Sequence, residues 1–370
     1  MGDFKCGEVK KLISNNRSPF IREVVMATKH FSCLCVVLFM LFSFSGSLMA
    51  ESLYVVSHGS RVFSFDVYNG QLIPIDEASM AHYGWGGIDL AIDNDYDILF
   101  MSSENTDNFQ ILDAKELTLI KTVTFPGTGD ITGIVYDAPN SRLLGTQRNS
   151  NDLYVFSWTP ATQTLTLDET IQLERIQNAC DVAINGDTLY VSEYLYSGIP
   201  QYTEVYAYDM SDDFSYIGKV NMGNTIVSID YNATDDSLYG GAWRGHDKLI
   251  KRTFDPNTLV EDNIDAYITG IATNSSVAGQ VFITSYANNG SVQWWDASSS
   301  DPNNWNMVDA YTNAENSNLS GLAGLVVGDD YIEPRIILNK THDANSCVSP
   351  GDTFNYTISW YNDTNLTATD

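Results

Sequence analysis

"LYVVS", residues 53–57, has close copies downstream: "LFMSS" at 99, "LLGTQ" at 143, "LYVSE" at 189, "LYGGA" at 238 and "VFITS" at 281. Successive copies start 46, 44, 46, 49 and 43 residues apart. Each later copy follows another short apolar run: "IDLAID" (88–93), "GIVYD" (133–137), "DVAIN" (181–185), "VSIDY" (227–231) and "GIATN" (270–274). The first copy has no such run before it. A third run follows each copy and usually closes on an aspartate: Asp66, Asp113, Asp209, Asp255 and Asp296. In one set, "LYVFSW", Trp158 stands where that aspartate is expected. A fourth, more polar run comes next, as in "LIKTVTF" (119–125), "LTLDETIQL" (165–173) and "SYIGKVNM" (215–222).

Short apolar runs broken by Asn, Asp, Gly and Pro, with almost no helical periodicity after residue 50, make this region all-β. Four strands per unit, repeating at this period, point to a β-propeller. A single four-stranded sheet cannot bury both of its faces, whereas radial packing buries each face against a neighbour. The incomplete first set then has an explanation. "GLAGLVVGDD" (321–330) reads as the first strand of a set that nothing completes. It is expected to supply the inner strand of the first blade, with residues 53–76 supplying the other three. Six blades would close by pairing the two ends of the chain, which also removes exposed sheet edges. In its repeats the chain resembles six-bladed propellers of the NHL/YVTN-like type.

Residues 31–50, "FSCLCVVLFMLFSFSGSLMA", carry no charge, follow Lys29 and His30, and end in small residues. That is the layout of a secretory signal peptide, with Ser45, Ser47 or Ala50 as cleavage-site positions and Met26 as an alternative start. The competing reading is an uncleaved anchor, because about 20 apolar residues span a bilayer. Residues 1–50 hold six basic and three acidic residues, which leaves 13 basic and 44 acidic after them, a net of −31. A chain so acidic repels polyanions, so no nucleic acid is expected as partner. Of five cysteines, only Cys180 and Cys347 lie beyond the leader. Cys180 sits in an apolar run and reads as a buried thiol.

The period breaks after residue 331. Pro350-Gly351-Asp352 reads as a turn, and Phe354, Tyr356, Ile358 and Trp360 alternate with polar residues as in a half-buried strand. Lys340-Thr341, the run "PGDTFNYTISWYN" and Ala368-Thr369-Asp370 resemble the Ig-like conserved-repeat domain found in tandem in large bacterial and archaeal surface proteins. The resemblance implies a partial Ig-like β-sandwich over 332–370, and its incompleteness implies a longer protein. The organisation expected is thus a leader over 1–50, a β-propeller over 51–331 and a partial Ig-like domain over 332–370.

In propellers the loops between blades, and those joining the second and third strands, gather at one end of the ring. Loops held on a rigid scaffold are where binding residues concentrate. Here they would gather His58, His82, Tyr83, Trp85, Arg148, Glu193, Trp243, Arg244, His246 and Tyr286. The longest of them, "EYLYSGIPQYTE" (193–204), adds Tyr194, Tyr196 and Tyr202. Aromatic rings among polar groups suit the apolar faces of sugars, or a protein partner. The same tyrosines could instead pack the loop onto the rim.

"DNDYDILFMSSE" (93–104) places Asp93, Asp95 and Asp97 at alternate positions, as in a calcium loop. Ile98 occupies the sixth position, where such a loop needs glycine, so a polar turn between strands accounts for it better. The recurring third-strand aspartates read as turn caps. Asn-x-Ser/Thr occurs at Asn232, Asn274, Asn289, Asn318, Asn339, Asn355, Asn362 and Asn365, which would be glycan acceptors in a eukaryotic secreted protein.

Similarity to propeller lactonases and streptogramin-lyase-like enzymes is one of architecture, and no catalytic set transfers residue by residue. The expectation is a secreted or surface-displayed monomer. Its loop face binds a glycan, matrix component or extracellular protein, without a cofactor. Membrane contact would run only through an uncleaved leader or an anchor beyond Asp370. The alternatives are an extracellular propeller hydrolase or lyase, calcium-dependent or not, and a purely architectural envelope protein.

Overall fold

The structure, a computed structural model, describes residues 51–57, 61–80, 86–104, 106–193, 204–224, 226–242, 248–254, 257–264, 268–285, 290–312, 322–328, 336–342 and 356–362. The leader lies outside these residues.

The described strands form six four-stranded antiparallel sheets and one separate pair. The first sheet holds β1 (Glu51–Ser57), β2 (Arg61–Tyr68) and β3 (Gln71–Ser79). The second runs through β4 (Gly86–Asp93), β5 (Ile98–Glu104), β6 (Asn108–Asp113) and β7 (Leu119–Thr124). The third comprises β8 (Ile131–Asp137), β9 (Arg142–Gln147), β10 (Asp152–Thr159) and β11 (Thr164–Gln172). The fourth comprises β12 (Ala179–Asn185), β13 (Thr188–Glu193), β14 (Glu204–Asp209) and β15 (Ser215–Asn221). The fifth comprises β16 (Ile226–Asn232), β17 (Ser237–Ala242), β18 (Lys248–Phe254) and β19 (Asn257–Asn263). The sixth comprises β20 (Ile268–Thr273), β21 (Gln280–Ser285), β22 (Ser291–Asp296) and β23 (Asn306–Tyr311). The first sheet is completed by β24 (Leu322–Gly328), in the order β24-β1-β2-β3. Leu53 faces Val327, Tyr54 faces Val326 and Val55 faces Leu325. The surplus strand at the end of the repeats is therefore the missing inner strand of the first blade, and the ring is a six-bladed propeller.

The second-strand motif is apolar at successive positions because both faces of every blade are covered. Leu53 and Val55 pack with Ala272, Phe282 and Val292 of the sixth blade. Their neighbours Tyr54 and Val56 point the other way, to Leu90, Leu99, Met101 and Leu112 of the second. Four further clusters fill the remaining blade junctions in the same manner. Successive side chains on a strand point to opposite faces, so one residue serves one interface and the next serves the other.

Outer strands are the polar fourth runs, and they alternate. In β15 the burial pattern is exposed, half-buried, exposed along its length. A bulge interrupts the pairing of third and fourth strands in every blade except the fifth, and bulged, polar edges resist pairing with other chains.

The turns follow local chemistry. Asn69 and Gly70, with φ of 50° and 78°, make the two-residue hairpin between β2 and β3, the conformation that Asn-Gly favours. Three of the recurring aspartates cap their turns: Asp113 accepts from the amides of Lys115 and Glu116, Asp209 from Ser211, and Asp296 from Ser298. Asp255 lies outside the described residues. Trp158, the exception, turns into the junction of the second and third blades. There its indole N–H donates to Asp93 (2.9 Å) and its ring meets Phe100 edge-on at 5.0 Å.

The tail gives a single antiparallel pair, β25 (Ile336–His342) with β26 (Tyr356–Asn362), in register from Ile336 opposite Asn362 to His342 opposite Tyr356. The strand expected around Tyr356–Trp360 is there. The sandwich expected from the Ig-like resemblance is not shown. Among the described residues no helix is long and apolar enough to cross a membrane.

Closure makes the first blade the point of failure. A chain ending before Leu322 should lose its cooperative thermal transition and elute as aggregate, because β1 would become an uncovered apolar edge. Leu53→Ala, at a fully buried site, should cost about 2–5 kcal/mol in denaturant unfolding while leaving the β spectrum intact.

Candidate functional site

Inner strands β4, β8, β12, β16, β20 and β24 line a central cavity of about 360 Å³. Its polar lining includes Asp89, Asp181, Asp230, Tyr136, Tyr231 and Thr273, with Asp93 and Asp95 at one end. No lysine, arginine or histidine is among the described lining residues.

The aspartates are there because the inner strands are irregular. The pairing of first and second strands shifts register in blades two to six, between Gly87 and Leu90, Ile131 and Gly133, Ala179 and Val182, Ile226 and Ser228, and Ile268 and Gly270. A bulge leaves amide groups outside the ladder, and a buried amide must find another acceptor. The preceding blade supplies it. Ile134 N donates to Asp89 Oδ2 (2.8 Å), Ile229 N to Asp181 Oδ2 (2.8 Å) and Ile271 N to Ser228 Oγ (2.9 Å). The third blade carries glycine, Gly133, at the position of Asp89 and Asp181, so it has no side chain to offer. Val182 in the following blade then uses Asp181 Oδ1 of its own strand (2.8 Å). Asp230, two residues on from Ser228, accepts from Thr273 N (2.7 Å) and Thr273 Oγ1 (3.1 Å).

Enclosure outweighs these hydrogen bonds in setting the acidity of the three carboxyls. Burial pushes Asp181 up to about 7 and Asp230 up to about 6, although amide donors pull both down. Asp89 is held well above the usual carboxylate range, first by burial and then by the charge of Asp181. Asp89 and Asp230 keep partial solvent exposure, and both line the cavity. Cys180, next to Asp181, is half-buried rather than fully enclosed, with its Sγ donating to Val227 O and its thiol pushed up to about 12 by burial.

Of the loop-face residues anticipated from the sequence, Arg148 and Glu193 fall among the described ones. They lie at the same end of neighbouring blades, just beyond β9 and at the end of β13. Both are engaged. Arg148 Nη2 meets Asp130 Oδ2 at 3.0 Å. Glu193 accepts from Gln177 N (3.0 Å) and from the Tyr206 hydroxyl (3.0 Å) and is 6% exposed. Nearby, Asp107 accepts from the amides of Gly127 and Gly129 and pins the loop before β8. At this end of blades two to four, charged side chains tie the loops to the scaffold. His58, His82, Tyr83, Trp85, Tyr194, Tyr196, Tyr202, Trp243, Arg244, His246 and Tyr286 lie outside the described residues.

Asp93, Asp95 and Asp97 do not converge. Asp93 is buried and accepts from Trp158 Nε1 and the Tyr136 hydroxyl (3.1 Å), while Asp97 pairs with Lys115 at 2.7 Å. The segment is the turn between β4 and β5. Among the described residues no three His, Cys, Asp or Glu side chains are grouped to hold a metal ion.

Two Asn-x-Ser/Thr sites are closed by the fold. The Asn232 side-chain amide donates to Asn274 O (2.8 Å) and Val277 O (2.9 Å) of the next blade. The Asn274 amide donates to Gln280 Oε1 (2.8 Å) and to Glu51. Both asparagines are buried and serve as blade-to-blade ties.

The channel aspartates stood in the inner-strand runs without being singled out. Their signal was a lone charge inside an otherwise apolar strand that packs on both faces. The glycine at the same position gives a direct test. A Cβ on Gly133 would fall 2.5 Å from Asp181 Cα and 2.6 Å from Cys180 O, whereas one on Gly218 of edge strand β15 meets nothing within 4 Å. Gly133→Ala should lower the denaturation midpoint by an amount equivalent to about 1–3 kcal/mol. Gly218→Ala should be neutral or stabilising by up to ~1 kcal/mol.

No protein-family model matches the sequence, and comparison with curated proteins finds no match. Solved structures do match the fold. A chain of the crystal structure of a nidogen/laminin complex aligns over 76% of this chain and 100% of its own, with 11% identity and a TM-score of 0.60. A functionally unknown protein from Desulfotomaculum acetoxidans DSM 771 aligns over 74% of this chain and 85% of its own, with 12% identity and a TM-score of 0.51. At such identities the likeness shows the fold alone, a propeller.

Proposed function

We propose that this chain is an extracellular recognition protein whose propeller presents its loop-bearing end to a partner protein. The observation that carries the reading is how that end is built where it is described. Asp107, Asp130, Arg148 and Glu193 are all engaged in fixing loops and strand ends. The closed ring beneath them is a rigid platform for the remaining loops, with their aromatic residues. A rigid scaffold lowers the conformational cost of binding. The similar chain in the nidogen/laminin complex belongs to an assembly of two proteins, which favours a protein partner over a free glycan. The net charge of −31 beyond residue 50 selects against polyanions.

The leader and the tail complete the proposal. Glu51 is the first residue of β1 and pairs with Val67, so cleavage after Ala50 would leave the closing strand whole. The β25–β26 pair belongs, on this reading, to an Ig-like stalk that holds the propeller away from the cell.

Two measurements test this. N-terminal sequencing of protein recovered from the medium should read from Glu51 or from just after Ser45 or Ser47; an intact leader on cell-bound protein would refute secretion. The secreted chain, immobilised and screened against extracellular matrix proteins and a glycan array, should bind a protein at about micromolar strength or tighter. Replacing Tyr194, Tyr196 and Tyr202 with Ser should weaken that binding at least tenfold. Unchanged binding would move the site off this face.

A further inference from the structure

Asp89, Asp181 and Asp230 belong to three different blades, yet they line one cavity and each bonds the inner strand of the next blade. The links join residues 45, 48 and 43 positions apart, the spacing of the repeat itself. They run from the second blade to the third, the fourth to the fifth and the fifth to the sixth. Three carboxylates in one closed space repel each other, and repulsion in a poorly solvated cavity is far stronger than in water.

The other groups that face them offer little compensation. β4 adds Asp93 and the turn after it Asp95, β8 adds Tyr136, β12 adds the Cys180 thiol, and β16 adds Tyr231. The described residues of β20 and β24 carry no ionisable side chain. Ser102 and Ser192, from the second strands behind, accept from Asp89 N and Asp181 N and are neutral. Arg148, the cation that acts on the Cys180 thiol, is already paired with Asp130.

We propose that the inner ring is a proton-dependent clamp. The ring is held most firmly while Asp89, Asp181 and Asp230 are protonated, and the charges they gain in the closed channel loosen it as the pH rises through neutrality.

The sign follows from where the protons sit. All three carboxyls have pKa values raised above that of an unfolded aspartate, so between about pH 4 and pH 7 the folded chain binds more protons than the unfolded one. The associated stability is fully present below the unfolded value and is lost as pH climbs through about 6 and about 7. The effect has a path to the loop end. Thr132 Oγ1 and Thr146 Oγ1 both donate to Cys180 O, at 2.8 and 3.1 Å, beside Asp181. Thr146 is two residues from Arg148, on the strand end that carries a loop-face residue.

The acidic exterior also favours low pH, and salt separates the two effects because ~1 M salt screens surface charges over about 3 Å and buried ones much less. In ~1 M NaCl, thermal melts of the secreted chain should show a fall in Tm of about 5 °C or more between about pH 5 and pH 8. Asp181→Asn and Asp89→Asn should each lose at least half of that fall. A flat wild-type profile, or variants with the wild-type slope, would overturn the clamp. Should the variants fail to fold, carboxyl-carbon NMR of the wild type still decides it. At least one aspartate titrating with a midpoint above about pH 5.5 supports the clamp, and the absence of any such aspartate overturns it.

Discussion

Everything in this propeller depends on the pairing of β1 with β24. It joins residues 52–57 to residues 322–328, the longest-range backbone ladder among the described strands. The other five blades are built from consecutive strands and form locally. The first blade exists only when the two ends of the repeat region meet. Until then two junctions are unfilled, because Leu53 and Val55 face the sixth blade and Tyr54 and Val56 face the second. The closing ladder therefore completes two cores at once, and it costs the loop entropy of the whole repeat region.

The same constraint shapes the polar chemistry. A blade packed on both faces has no room for an unpaired amide, yet the inner strands must bulge to bend around the axis. The unpaired N–H groups are taken up by side chains from the blade before, or by the strand's own aspartate where that blade offers only glycine. Acid groups thus enter an enclosed channel for structural reasons, and their unusual acidity is a by-product of their position. Elsewhere the junctions use other polar ties of the same reach. Lys251, 4% exposed, pairs with Asp235 at 2.7 Å and donates to Ala297 O of the sixth blade at 3.1 Å. Asn232 and Asn274 tie the turns at the far end. Buried charge persists here only because each group is paired or multiply hydrogen-bonded.

The proposed function and the stability of the ring draw on different parts of the molecule. The channel groups hold blades, and the described charged groups at the loop end hold loops. On the function proposed above, recognition falls to the aromatic-rich loop set that this scaffold carries.

The sequence by itself determined the repeat, the blade count and the closing strand, because these rest on strand periodicity and on the spacing of one apolar motif. It also determined the turn caps, since Asp113, Asp209 and Asp296 act on amides two or three residues away. Only the tertiary structure decided what the lone charges do. Asp89, Asp181 and Asp230 read as ordinary strand residues until the bulges and the neighbouring blade are in place. Asp93 reads as part of a polar turn, and only the fold shows that Trp158, 65 residues on, binds its carboxylate. Asn232 and Asn274 read as glycan acceptors until the next blade buried their amides. In each case a deciding partner lies on the neighbouring blade, placed there by the ring's curvature, which no local pattern encodes.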